Sequence, residues 1–338
     1  MASSSLPSKT LQVSPTITYK YYYSPASEPA LQTLLFLHGF PSTAADFRPQ
    51  LEHFASRGYG VLAPDLLGYG GTSKPADARE YVWRAMSAHV AAILDAEGLA
   101  GRAVVGVGHD LGSWFLSRLC HLLPPRLGLA GLVFLDVGYA PPGGRFDVEA
   151  INRVTADAAT GDERFRYWDL FAGGPEAVAL MDREAASVVS LMHAPPGVMA
   201  ANLGPRGRAR EWVSAGRVVA PAAAAAAGDA FATEAYLREK TAVFQEGGWT
   251  GPTNWYRALR DNLSLEDERD MEKGIRVPVM VVGCGRDEMT TAGLQDQMTR
   301  PWAGAGYRFE VLDTGHWVML EDAAGTNRLL GEFLDGLP

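Results

Sequence analysis

The sequence predicts an α/β protein: a mostly parallel sheet flanked by helices, with a helical cap inserted late in the sheet. Three observations predict it. Short apolar runs alternate with one-faced helical patterns from residue 33 to residue 135, and that alternation implies parallel strands. The rhythm then stops at about Tyr139 and returns only at Val277. Between them the stretch Val104–Arg118, VVGVGHDLGSWFLSR, reads as strand, tight turn and helix, with Gly108, Asp110 and Gly112 at the spacing of an elbow that presents one side chain on a strained bend.

Taken in order, residues 1–15 are Ser/Pro-rich and are expected to be a loose tail. The β-branched and aromatic run Thr16–Tyr23 is a predicted strand, as are Thr33–Leu37 and Tyr59–Ala63. Asp46–Ser56 has helical spacing, and Leu66–Pro75 has turn chemistry. Arg79–Leu94 places Val82, Trp83, Met86, Val90, Ile93 and Leu94 on one helical face. Leu129–Leu135 is a further buried strand, ending at Asp136. From about Tyr139 to Leu265 the patterns are helical, with Pro/Gly-rich turns and an Ala run at Ala222–Ala227 that fits helix or loop. Strands resume at Val277–Gly283 and Tyr307–Leu312, and a helix from about Asp322 to Leu334 closes the chain. The expected organisation is a core of residues 1–138 and 266–338 interrupted by a cap of residues 139–265. An insertion at that point enters above the carboxyl ends of the strands, where ligands bind in open sheets.

Bulk properties narrow the function. A chain of 338 residues can bury a sizeable core, and a net charge of −9 without a basic cluster argues against nucleic acid or an anionic membrane as partner. Two cysteines, Cys120 and Cys284, fall in a predicted helix and a predicted strand, so a disulfide framework is not expected and a reducing compartment fits. With no apolar run of spanning length and no signal-like start, the expectation is a cytoplasmic protein, monomeric or homodimeric.

Three residues stand at strand ends on one edge of the predicted sheet: Asp110 on the elbow, Asp287 in Gly-Cys-Gly-Arg-Asp, and His316 in Asp-Thr-Gly-His-Trp. The order nucleophile, acid, base is that of α/β-hydrolases. The amides of Leu111, after the elbow, and of Phe40, in His38-Gly39-Phe40-Pro41, are positioned to be an oxyanion hole. Asp in place of Ser changes the chemistry. A carboxylate needs no base for its own attack and suits displacement at a saturated carbon, leaving an alkyl ester that water activated by histidine can hydrolyse. Epoxides and alkyl halides are the substrates this fits. An epoxide oxygen leaves as an alkoxide and wants a phenol O–H; Tyr256 and Tyr167, both in the predicted cap, are the candidates. His38, Trp114, Trp168 and Met319 are candidate pocket residues. His109 is expected to support the elbow and His38 to organise backbone. No metal site is expected.

These motifs resemble those of soluble epoxide hydrolases of the α/β-hydrolase fold. The resemblance rests on His38-Gly39-Phe40-Pro41, Gly108-His109-Asp110-Leu111-Gly112, Asn254-Trp255-Tyr256-Arg257, Asp287 and His316, and covers roughly residues 30–335. It implies paired cap tyrosines on the epoxide oxygen, a vicinal diol product, a small-molecule epoxide and water as partners, and no cofactor. Leu111 departs from the pattern, since Trp often follows the nucleophile there; haloalkane dehalogenases use that Trp for the halide. Some dehalogenases take their acid from the position of Asp136, which makes it a rival to Asp287; the acid-turn motif favours Asp287. The alternatives are a dehalogenase with the same nucleophile, or a non-hydrolytic binding or cyclising member of the fold.

Overall fold

A computed structural model of the chain describes residues 6–156, 163–220 and 231–338. Eight strands form one sheet: β1 (Ser8–Gln12), β2 (Thr18–Ser24), β3 (Thr33–Leu37), β4 (Gly60–Pro64), β5 (Val104–His109), β6 (Leu129–Leu135), β7 (Val279–Cys284) and β8 (Tyr307–Leu312). Their spatial order is β1-β2-β4-β3-β5-β6-β7-β8. Only the β1–β2 and β2–β4 pairings are antiparallel; the rest are parallel.

The central strands are buried on both sides, as a parallel sheet covered by helices requires. Side chains alternate between two apolar layers. Leu35, Leu37, Leu132, Phe134 and Val281 point into one layer, and Leu34, Phe36, Val133, Leu135 and Val282 into the other. This is why the strands read as unbroken hydrophobic runs rather than as alternating ones.

The expected loose tail is corrected in part: Ser8–Gln12 is an edge strand, paired residue for residue with Thr18–Tyr22. Its side chains are mostly exposed, so it carries no hydrophobic pattern. Backbone pairing holds it, together with Lys9, which bonds Glu97 and lies over the Tyr23 ring. The helix expected from Arg79 begins at Trp83, because Val82 is extended and separates it from a short turn of helix over Ala78–Tyr81.

Between β6 and β7 the described residues contain helices and loops and no strand. The helices include Val148–Thr155, Trp168–Phe171, Ala185–Met192, Pro196–Leu203, Glu234–Gly247 and Thr250–Arg260. The Ala222–Ala227 run lies outside the described residues. Side chains of the last two helices fasten this segment to the sheet's loops. Trp255 donates its indole N–H to the Leu67 carbonyl at 2.8 Å, and Asn254 donates to the Ala76 carbonyl at 3.0 Å. The buried ammonium of Lys240 pairs with the buried carboxylate of Asp46.

Candidate active site

The strand order reverses at β3, which has β4 on one side and β5 on the other, so the helical connections leave the sheet in opposite directions there and open a crevice. Leu37 is level with Gly108, which brings the loop after β3 beside the turn after β5. His109 is level with Leu135, and Leu135 with Val282. The residues that follow these strands therefore meet along one edge.

Asp110 occupies the turn between β5 and the helix Leu111–Leu122, with φ 52° and ψ −124°. Left-handed backbone at a side-chain-bearing residue costs energy and persists only where the surroundings impose it. Here the glycines impose it by closeness: a Cβ on Gly112 would lie 2.1 Å from the Leu37 carbonyl oxygen, and one on Gly39 would lie 2.3 Å from Asp110 Oδ1. Asp110 Oδ1 accepts the Phe40 amide at 2.8 Å. Burial pushes the Asp110 carboxyl pKa above its ordinary value, opposed by His316 and by the amides of Phe40 and Leu111.

His316 sits after β8 with Nε2 3.9 Å from Asp110 Oδ2 and no hydrogen-bond partner on that nitrogen among the described residues. Its Nδ1 faces two carboxylates, Asp136 Oδ2 at 2.9 Å and Asp287 Oδ2 at 3.1 Å. Burial works against a charged imidazole, but the two carboxylates outweigh it and hold the His316 pKa well above its ordinary value. Asp287 Oδ1 accepts the amides of Met289 (2.6 Å) and Thr290 (2.9 Å). Burial would raise the Asp287 carboxyl, yet His316 and those amides keep it below its ordinary value. Asp136 is pushed up to about 6 by burial and by the Asp287 charge.

A cavity of about 330 Å³ opens above Asp110, bounded by Leu111, Trp114, Tyr167, Trp168 and Tyr256. The rest of the lining is mostly apolar, including Val137, Phe146, Val148, Ile151, Phe165, Leu294 and Met298; Thr290 and Gln295 add polar groups. Tyr167 precedes the helix Trp168–Phe171, and Tyr256 lies in the helix Thr250–Arg260. Their ring centroids are 6.2 Å apart at 84°, and Tyr256 also packs edge-on against Phe40 at 5.0 Å. Burial, then the nearby Asp110 charge, raises the Tyr167 phenol; burial and Tyr167 raise Tyr256 well above its ordinary value. Both remain donors. A wider hollow of about 920 Å³ lies behind Asp287, lined by residues such as Arg164, Pro195 and Pro196, and holds neither Asp110 nor the tyrosines.

Two of the expected pocket residues lie elsewhere. His38 is fully buried beneath the loop: its Nδ1 donates to the Gly39 carbonyl at 3.0 Å and its Nε2 accepts the Leu66 amide at 2.9 Å. Burial lowers its pKa to about 4, so it stays neutral in that role. Met319 is packed in the opposite apolar layer with Trp317, Val318 and Leu329, because the short helix Val318–Glu321 turns it away from the crevice. His109 reaches the site from below, its Nε2 donating to the His316 carbonyl at 2.8 Å. Thr290, which sequence reasoning missed, joins both acids: its hydroxyl donates to Asp136 at 2.7 Å and its amide to Asp287. Its only sequence signal is its place three residues after an acid-turn aspartate. His109, Asp136 and His316 also bring potential ligand atoms within 4.8 Å of one another, the one such metal-capable grouping among the described residues; the Nδ1 of His316 there is taken up by carboxylates.

Comparison with known proteins adds three findings. The model of the alpha/beta hydrolase family matches residues 34–329. An epoxide hydrolase of Neurospora crassa is 28% identical, with 95% of this chain and 93% of the relative covered. Epoxide hydrolase A of Mycobacterium tuberculosis is 30% identical, with 92% of this chain and 93% of the relative covered. Among solved structures, epoxide hydrolase A of Mycobacterium thermoresistibile superposes with a TM-score of 0.76 at 23% identity and potato epoxide hydrolase I with 0.76 at 24%, each over 97% or more of both chains. At that identity the structural likeness speaks for the fold.

Proposed function

The chain belongs to the alpha/beta hydrolase family, and from that premise we propose that it hydrolyses apolar epoxides to vicinal diols through an ester on Asp110. The observation that carries the reading is the strained carboxylate itself: Asp110 lies on the floor of a cavity whose wall carries two phenols, the buried Tyr256 and the partly buried Tyr167, with a histidine beside it. Relatives of nearly equal length that are named epoxide hydrolases support the substrate class.

Asp110 Oδ1 is engaged by the Phe40 amide, so Oδ2 is the oxygen free to attack. It displaces the epoxide oxygen from a saturated ring carbon, and the C–O electron pair leaves as an alkoxide. Tyr167 and Tyr256 donate hydrogen bonds to that oxygen, and a phenol supplies its proton. Ring opening leaves Oδ1 as the ester carbonyl, already in reach of the Phe40 and Leu111 amides. Water, deprotonated by neutral His316, adds to Cγ; the oxyanion rests on those amides; the Cγ–Oδ2 bond breaks, the diol leaves with Oδ2 and takes the proton held by His316, and the proton of the new Cγ–OH returns through solvent to the phenolate. Asp287 orients His316. The helical segment between β6 and β7 acts as the lid that supplies both phenols and the apolar walls. Its lining favours uncharged substrates, since among the described residues no cationic or anionic side chain other than Asp110 lines this cavity.

The test is a single turnover in ¹⁸O-labelled water with an aryl epoxide such as styrene oxide. The first diol carries unlabelled enzyme oxygen, and label appears in Asp110. His316→Gln, mixed with the same epoxide, gains the mass of the epoxide. Label in the first diol together with no mass gain defeats the reading. Halide displacement is the second reading, favoured by one observation: the buried indole Nε1 of Trp114 has no partner among the described residues and its ring lines the cavity. Chloride release from haloalkanes without diol formation from epoxides decides for it.

A further inference from the structure

His316 Nδ1 lies close to two carboxylates, 2.9 Å from Asp136 and 3.1 Å from Asp287, and its hydrogen bond goes to Asp287. An ordinary triad needs one. Resting on the ester mechanism above, we propose that Asp136 is a second positioning acid for His316, able to replace Asp287 in fixing the imidazole and stabilising its protonated form.

Asp136 is placed for this and for little else. It follows β6 with φ 64°, its amide bonded to the Val282 carbonyl at 2.9 Å, which turns the side chain toward the end of β8. It is fully buried, and its Oδ1 has no hydrogen-bond partner among the described residues. A buried carboxylate with a half-satisfied head is destabilising unless a charge faces it. The charge that faces it is His316. Thr290 grips both acids at once, with its hydroxyl on Asp136 and its amide on Asp287, so the two are held as a unit.

The groups that face His316 come from every element around it: Asp110 from the elbow, the His109 ring at 4.8 Å from β5, Asp136 after β6, Asp287 after β7, and His193 through its stack on Trp317. His109 and His193 are kept neutral by burial. The imidazolium is therefore favoured by carboxylates alone, and removal of either acid leaves one to orient Nδ1 but weakens the pull on the proton. Activity requires neutral His316, so the acid limb of kcat moves to lower pH when either carboxylate is removed.

The experiment compares wild type, Asp136→Asn, Asp287→Asn and the double variant on styrene oxide, reading kcat against pH and ester accumulation by intact mass. Each single variant loses no more than about tenfold, and its acid limb falls by about one pH unit. The double variant loses on the order of 10⁴-fold, as removal of a sole triad acid does, and accumulates ester. Asp287→Asn alone matching the double variant overturns the proposal, as does an Asp136→Asn limb that stays in place. If Asp136→Asn does not fold, Asp287→Asn still decides, because Asp136 is then the one carboxylate left on Nδ1 among the described residues. His316→Gln separates this from the mechanism: ester in that variant with a dead Asp287→Asn sinks the second acid only, whereas no ester in His316→Gln sinks the mechanism.

Discussion

At the scale of single residues, the candidate site holds side chains displaced from their ordinary ionisation: burial pushes Asp110 and the two phenols up, and two carboxylates push His316 up against burial. Tyr256 is the sharpest case. It is buried, its phenol stays protonated far above neutral pH, and it faces the cavity over Asp110. Removing one donor from a dry site where oxyanion charge develops costs about 2.7–4 kcal/mol. Tyr256→Phe is therefore expected to slow ring opening by a factor on the order of 10²–10³ while leaving ester hydrolysis untouched, because the phenol is not on the path of the second step. Pre-steady-state mass spectrometry separates the two steps. Asp110, Asp287, His316 and the two tyrosines were legible in the sequence because each sits in a short motif at a strand end or on a patterned helix. Thr290 and the double contact of His316 were not, because they depend on where three loops converge, which no local pattern records. His38 and Met319 were misplaced for a related reason: adjacency in sequence to a motif does not fix the face a side chain takes.

At the scale of elements, the central parallel strands were readable because both faces are buried and the hydrophobic runs are continuous; the half-exposed edge strand β8 was readable from its aromatic and β-branched residues. Three of them, β3, β6 and β8, match their expected bounds residue for residue. The edge strand β1 was not, since backbone pairing without burial leaves no hydrophobic signature. The helix Glu234–Gly247 shows what joins the helical segment to the sheet. Its Lys240 forms a buried pair with Asp46, which also accepts from Ser42 Oγ at 2.5 Å and from Tyr236 Oη at 3.0 Å. Taking away one partner of such a pair strands a buried charge and costs about 3–5 kcal/mol. Lys240→Met is expected to lower the thermal midpoint accordingly, while an Asp46→Asn/Lys240→Met double variant recovers part of the loss because no charge is left unpaired. Melting curves for the wild type and the two variants check this.

At the scale of the whole molecule, stability is tied to acidity through three buried histidines. Burial lowers His38 and His193 to about 4 and His109 to about 3. In the unfolded chain each titrates near 6.5. Below that pH the unfolded state binds protons that the folded state refuses, so stability falls as pH falls. Asp136 acts in the opposite sense below about 6, where the folded state takes its proton first, and Asp110, also raised by burial, acts the same way, but those are two shifts against three. His316, whose folded pKa is raised, has its full contribution in place below the unfolded value and adds no slope there. Asp46, held below its ordinary value by Lys240 against the effect of burial, gives up its share only at still lower pH. The urea midpoint is expected to drop steadily from about pH 7 to about pH 4.5, and a flat profile across that range contradicts the assignment of neutral buried histidines.

The reversal of strand order at β3 has a consequence for how this protein can change. In the proposed mechanism Asp110, Asp287, His316 and the amides of Phe40 and Leu111 all lie after strands of the sheet, whereas the phenols and most of the greasy wall arrive on helices fastened by a few tethers such as Trp255 and Lys240. Reactivity and selectivity thus have separate owners. Helices grafted from another source, provided they bring two tyrosines and keep those tethers, can retune which molecules enter without disturbing the bond-making apparatus beneath.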